Sequence, residues 1–315
     1  MDYNNGISSP LFVHEQVRAN KIKTVILLLF FGILIIGISC LIGYLYGRLE
    51  YGIIIGAGYC AFVIPLQLAA SKTSVISSVH GRAVNENNPN ERRALLMVEG
   101  LSLSAGLKTP PQVYIIPTAT PNAFAGGLKP DSSYIGVTEG LLSILDDSEL
   151  EGVLAHEMAH IVQRDVLIAT VSIALLSIVI ALAGIFYRST MYGGRRRSNN
   201  NKQGSSSAGM LILVGLAVYI LSRLLGTIVN LAISRKREYA ADANAVRLCS
   251  NSAGLADALE KISNASGRYD AKTVSSLGGD EMLALYIFNP KKKLSALFST
   301  HPPIEERIRR VRNMY

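Results

Sequence analysis

Tryptophan is missing altogether, and cysteine occurs only three times in the 315 residues. Cys40 and Cys60 lie inside apolar runs and Cys249 stands alone, which excludes a disulfide framework and leaves no thiol pair spaced for a metal or redox site. Charge is scarce as well. Asp, Glu, Lys and Arg make up 17% of the chain against 49% hydrophobic residues, and the mean hydropathy is +0.30. That balance excludes a disordered chain and argues against an ordinary soluble enzyme. The charge present leans basic, 31 Lys and Arg against 23 Asp and Glu, for a net +8. On so apolar a chain the excess points to anionic lipid headgroups before nucleic acid.

Four apolar stretches carry the hydropathy: Val25–Gly47, Tyr51–Ser71, Val166–Tyr187 and Ala208–Ser234, the last interrupted only by Arg223. Each meets the roughly 20 residues a helix needs to cross a bilayer core. The first two are joined by Arg48, Leu49 and Glu50 and form a tight helical hairpin. Arg18, Lys21 and Lys23 precede it and Lys72 and Arg82 follow it, so the positive-inside rule sets both flanks in the cytoplasm. The connection of the second hairpin, Arg188–Ser207, opposes that rule with Arg188, Arg195, Arg196, Arg197 and Lys202. Its Gly, Ser and Asn content reads as a flexible loop. No aromatic residues interleave its arginines, which speaks against nucleic acid. The chain divides accordingly into an N-terminal flank (1–24), a membrane hairpin (25–71), a first polar segment (72–165), a second hydrophobic hairpin (166–234) and a second polar segment (235–315).

The first polar segment predicts a helix over Asn90–Ala105. Short β runs follow at Val113–Ile116, Ala123–Ala125 and Tyr134–Val137, punctuated by prolines and by Gly126 and Gly127. Ser148 and Glu151 have capping-box spacing, and no Gly or Pro occurs from Val153 to Leu182, which predicts one helix continuing into the membrane. The second polar segment reads as helical. The expected fold class is therefore mainly α with a small β-sheet (α+β).

On the helix that starts near Ser148 stands His156-Glu157-Met158-Ala159-His160. Histidines at i and i+4 share one helix face and can chelate one Zn²⁺ at about 2.0–2.1 Å. Glu157 is offset beside the ion, where a carboxylate takes a proton from an activated water. Glu238 is the candidate third ligand. It stands four residues after the end of the fourth stretch, and His160 stands six residues before the start of the third, so an antiparallel hairpin delivers both close to one plane. Asp242, one turn on, suits an acceptor for an imidazole N–H. Two histidines, one carboxylate and an open position describe a catalytic rather than a structural zinc. His301, set before Pro302 and Pro303, is a candidate for stabilising an oxyanion. Asn122-Ala123-Phe124-Ala125 is a candidate sheet edge for binding a peptide by strand addition. His14 and His80 have no partners nearby and read as non-ligands. The competing reading takes the pentad histidines as surface or core residues, Glu238 and Asp242 as a solvated face, His301 as a turn residue and the strand as an ordinary one.

Pro121–Ala125, Ala155–Ile161, Ser234–Asp242 and Thr300–Pro303 occur in this order together with a paired N-terminal hydrophobic segment. In that set the chain resembles the HtpX family of membrane-bound zinc metallopeptidases, relatives of the CAAX prenyl proteases. The resemblance implies a gluzincin-like core anchored by transmembrane helices, with zinc on His156, His160 and Glu238 and Glu157 as the catalytic carboxylate. It implies Asp242 behind the ligands, His301 with Arg307 near the oxyanion or substrate, and Asn122–Ala125 as the substrate edge. It further implies a multi-pass protein of the bacterial cell membrane, its active site facing the cytoplasm, that turns over misfolded or damaged membrane proteins. Two other readings remain open at this stage, a CAAX-type processing protease and a non-catalytic, zinc-stabilised membrane scaffold.

Overall fold

The computed structural model describes residues 10–45, 47–178, 235–266 and 302–314. Arg188–Ser207, Ala208–Ser234, the part of the third stretch beyond Ile178, and His301 lie outside the described residues. The chain forms two compact units. One comprises Met1–Thr24, Lys72–Thr170 and Asn230–Tyr315, the other Val25–Ser71 and Val171–Val229.

The second unit contains most of two long helices, α1 (Pro10–Leu45) and α2 (Leu49–Ser78). Each is long and apolar enough to cross a membrane, over His14–Leu41 and Leu49–Ser78. Their faces stay largely exposed, with Ile26, Leu29, Ile33, Ile54 and Leu66 uncovered by protein, as lipid-facing helices require. Small residues let them approach. A Cβ on Gly52 would stand 2.4 Å from the Ser39 carbonyl oxygen, and one on Gly56 3.0 Å from the Ser39 Cβ. Helix α2 contains a π turn at Tyr59–Val63. Pro65 follows directly and has no N–H to continue the α ladder at that point.

The first unit is a four-stranded sheet flanked by helices. Its strands are β1 (Arg82–Ala83), β2 (Gln112–Ile116), β3 (Ala123–Gly126) and β4 (Tyr134–Thr138), in the order β1-β2-β4-β3. Strands β2 and β4 run parallel, with Tyr114 opposite Gly136. Strand β1 pairs antiparallel with β2, and β3 antiparallel with β4, with Ala125 opposite Ile135. β3 is thus the outer strand, although all four of its residues are buried. The three longer strands fall where the alternating runs predict them. β1 is only two residues long and carries too little pattern to be read from sequence.

Among the described residues this unit also holds the helices α3 (Pro89–Ser104), α4 (Glu139–Ile144), α5 (Asp147–Val162), α7 (Arg235–Cys249), α8 (Ser252–Ser266) and α9 (Ile304–Arg312). Helix α6 (Asp165–Ile178) follows α5 and runs on into the other unit. Asn88 caps α3 by accepting from the Asn90 N–H, with Pro89 in the first turn. The capping box of α5 is formed by Asp146 and Glu149 rather than by Ser148 and Glu151. Glu149 is buried and reaches back to the Asp146 N–H at 2.9 Å, while the Ser148 hydroxyl accepts from Asn251 Nδ2 at 2.6 Å. Leu150, Val153, Leu154, Met158 and Ile161 of α5 join Ala94 and Val98 of α3, Ile135 and Val137 of β4, and Leu255, Leu259 and Ile262 of α8 in one core. Helix α5 packs on β3 and against α3, α7 and α8, which makes it the central element.

The helix does not continue unbroken past Val162. Gln163 ends it and Arg164 takes a left-handed φ of 62°, so that α5 and α6 are bent by 77°. An arginine in that conformation lacks the conformational freedom of the glycine usual at a helix C-terminus, so the sequence gives no local sign of the break.

Candidate metal and catalytic site

His156 and His160 stand one turn apart on α5 with their rings edge to face, centroids 4.7 Å apart. Their Nε2 atoms are 3.2 Å from each other. Glu238, in the first turn of α7, completes a triangle, its Oε2 3.8 Å from His156 Nε2 and its Oε1 3.6 Å from His160 Nε2. Ligand atoms about 2.0–2.1 Å from a tetrahedral centre are separated by about 3.3–3.4 Å. The three observed edges bracket that spacing, and the nitrogen, nitrogen and oxygen donor set suits zinc. Among the described residues this is the one group of three His, Cys, Asp or Glu side chains placed to hold a metal ion.

Each imidazole has a carboxylate behind it. His156 Nδ1 lies 2.9 Å from Asp242 Oδ1, and His160 Nδ1 lies 3.1 Å from Asp165 Oδ2. A hydrogen bond from each Nδ1–H leaves each Nε2 lone pair directed at the shared point. The one-turn spacing from Glu238 points to Asp242, whereas no sequence pattern points to Asp165. In an unbroken helix, residue 165 points well away from residue 160, and only the turn at Gln163–Arg164 brings it back.

Arg307, from α9, is 1% exposed and grips Asp242 in a fork, Nε to Oδ2 at 2.9 Å and Nη2 to Oδ1 at 2.7 Å. Its Nη1 is 3.6 Å from Glu238 Oε2, and Nη2 lies 3.4 Å from His156 Nε2. The resemblance sets Arg307 near the oxyanion or substrate, and here it stands against the ligand groups themselves. Its Nε and Nη2 hold Asp242, which in turn meets His156, while Nη1 is turned to Glu238.

Burial pushes the Glu157 carboxyl up to about 7, with His160 opposing and Glu238 adding to the rise. Burial would lower His160, yet its hydrogen bond with Asp165 and the charge of Glu238 raise it to about 9. Burial lowers His156, against the pull of Asp242. Burial works to raise Asp242, but the Arg307 guanidinium beside it holds it at about 2.

The candidate substrate strand lies next to Glu157. The Ala125 N–H hydrogen-bonds the Glu157 carboxylate. The Ala123 N–H is met by the Asn122 side chain at 3.0 Å, and the Gly127 N–H by Thr170 Oγ1 at 3.0 Å. Phe124 faces the protein, edge-on to Tyr134.

A helix that aims two histidines at a glutamate from a second helix, with the Glu157 carboxylate adjoining and an outer strand alongside, has the form of a peptidase site. Residues 89–315, which hold every one of these side chains, match peptidase family M48. A protease HtpX homolog of Dictyoglomus thermophilum is 40% identical over 308 residues, 97% of this chain and 96% of its own. Those of Streptococcus gordonii and Listeria monocytogenes serotype 4a are each 38% identical, covering 95% of this chain and 99% of theirs. Among solved structures, S. mikatae Ste24p aligns with 94% of this chain and 66% of its own length at 18% identity and a TM-score of 0.47. The chain belongs to peptidase family M48, in its HtpX branch, and is a membrane protease.

Proposed function

We propose that the chain is a zinc-dependent endopeptidase, integrated in the bacterial cell membrane by several passes, that cleaves misfolded or damaged membrane proteins from the cytoplasmic face. The observation that carries this reading is the ligand triangle of His156, His160 and Glu238, of tetrahedral size, with Glu157 at its side. Zinc held there supplies Lewis-acid polarisation of a peptide carbonyl and brings the pKa of a water to about 7.

The remaining steps belong to the chain's own groups. Glu157 takes the proton of the attacking water and delivers it to the leaving amine. A substrate strand laid against β3 takes over the Ala125 N–H, which releases Glu157 for that transfer. Asp242, held by Arg307, and Asp165 keep the two imidazoles in the tautomer the reaction needs. Arg18, Lys21, Lys23 and Lys72 flank the membrane helices on the side that continues into the first unit, which supports a cytoplasmic site.

The test is Glu157→Gln in the purified, zinc-loaded protein, with an unfolded membrane protein as substrate. Cleavage is expected to fall at least about 100-fold while bound zinc is unchanged. Retained cleavage with zinc bound contradicts the assignment. Preference for a prenylated peptide over the unfolded protein would instead support CAAX-type processing. An inactive chain that releases its zinc only on unfolding would support a scaffold.

A further inference from the structure

Helix α1 carries a buried polar side chain that neither lipid nor an apolar core accounts for. Asn20 is 2% exposed. Its Nδ2 donates to the Gln163 carbonyl at 3.0 Å and to Asp165 Oδ1 at 2.8 Å, more than 140 residues away in sequence. Both acceptors sit at the break between α5 and α6, within the same compact unit as Asn20. A carboxamide buried there is stabilising only if its donors are used, and both are.

Asp165 divides its two oxygens between tasks. Oδ2 meets His160 Nδ1 at 3.1 Å. Oδ1 receives Asn20 at 2.8 Å and, at 3.3 Å, Nη1 of Arg237 from α7. The orientation of the carboxylate that aligns one metal-binding histidine is therefore fixed largely by a side chain from the first membrane helix. Taking Asn20 away leaves Asp165 Oδ1 with the longer Arg237 contact and frees the carboxylate to rotate.

We propose that Asn20 is a positioning residue for His160, acting through Asp165, so that the seating of the first membrane helix sets how tightly the site holds its ion. The inference rests on the zinc reading above. A plain helix-capping role is the alternative, since the Gln163 carbonyl belongs to the last turn of α5. Capping predicts a loss of stability without a change in metal affinity.

The experiment uses the full chain in detergent and measures zinc affinity by chelator competition at fixed pH. The visible spectrum of the Co²⁺-substituted protein and the melting of the metal-free protein are recorded alongside. Asp165→Asn is expected to weaken zinc binding by about 10–100-fold and Asn20→Ala by about tenfold. Both should shift the Co²⁺ spectrum, because the His160 ring no longer holds its angle. Asn20→Asp, which sets a like charge 2.8 Å from Asp165 Oδ1, should weaken binding at least as much as Asn20→Ala. Thr24→Val, one turn along α1, removes only a hydroxyl bonded to its own helix at the Asn20 carbonyl and should leave affinity unchanged. Asn20→Gln keeps the amide but sets it one methylene too far, and gives the same reading if Asn20→Ala does not fold. A wild-type chain that binds zinc, with Asn20 variants that bind it equally well but melt lower when metal-free, overturns this inference alone. A wild-type chain that binds no zinc overturns the zinc reading and this inference with it.

Discussion

Replacing Arg307 by Met tests whether the Arg307–Asp242 pair holds the ligand helices together. Arg307 and Asp242 are each 1% exposed and share two short hydrogen bonds, and Asp242 also meets His156. The substitution keeps the volume but strands a carboxylate in the interior with only the imidazole to face. Removing one partner of such a pair costs about 3–5 kcal/mol. At about 2–4 °C per kcal/mol for a unit of this size, the melting point of the metal-free protein should drop by about 6–20 °C. Removing both charges, with Asp242→Leu added, should recover at least about 2 kcal/mol relative to the sum of the single changes. Arg307→Lys should recover little, because an ammonium cannot form the fork. The assay is a circular-dichroism melt in detergent with EDTA, run as a double-mutant cycle. A drop below about 3 °C for Arg307→Met, with additive changes in the cycle, would refute the reasoning.

Two other tests probe the scaffold. A Cβ on Gly152 of α5 would stand 2.7 Å from the Leu255 backbone nitrogen of α8, so Gly152→Ala should destabilise by about 1–3 kcal/mol, read as a lower melting point. Glu91 accepts both guanidinium nitrogens of Arg82 at 2.8 Å, and this pairing lowers its carboxyl from an ordinary 4.5 to about 2. A depressed carboxyl contributes stability that is complete above pH 4.5 and is lost as the pH falls toward 2. With Arg82 half-exposed, that contribution is about 1–2 kcal/mol, and Arg82→Gln should flatten the melting-point decline between pH 4.5 and 2.

Much of the site was readable because its signals are local. Pentad spacing places His156, Glu157 and His160, the distance from the apolar stretches places Glu238, and one helical turn adds Asp242. Prolines and glycines outline β2, β3 and β4. The cap of α5 was misplaced by two residues because Asp146–Glu149 and Ser148–Glu151 have the same spacing, and only the burial of Glu149 separates them. Asp165 and Asn20 were not readable, because their roles depend on a helix break at Gln163–Arg164 that contains neither glycine nor proline. The Arg307–Asp242 contact spans 65 residues and leaves no trace in local pattern.

X-ray absorption at the zinc edge of the loaded protein tests the central claim most directly. The account predicts one zinc per chain with two imidazole nitrogens and a carboxylate oxygen at about 2.0–2.2 Å, the oxygen lost in Glu238→Ala and one imidazole lost in His160→Ala. A zinc shell made only of oxygens, or one unchanged by both substitutions, would contradict it.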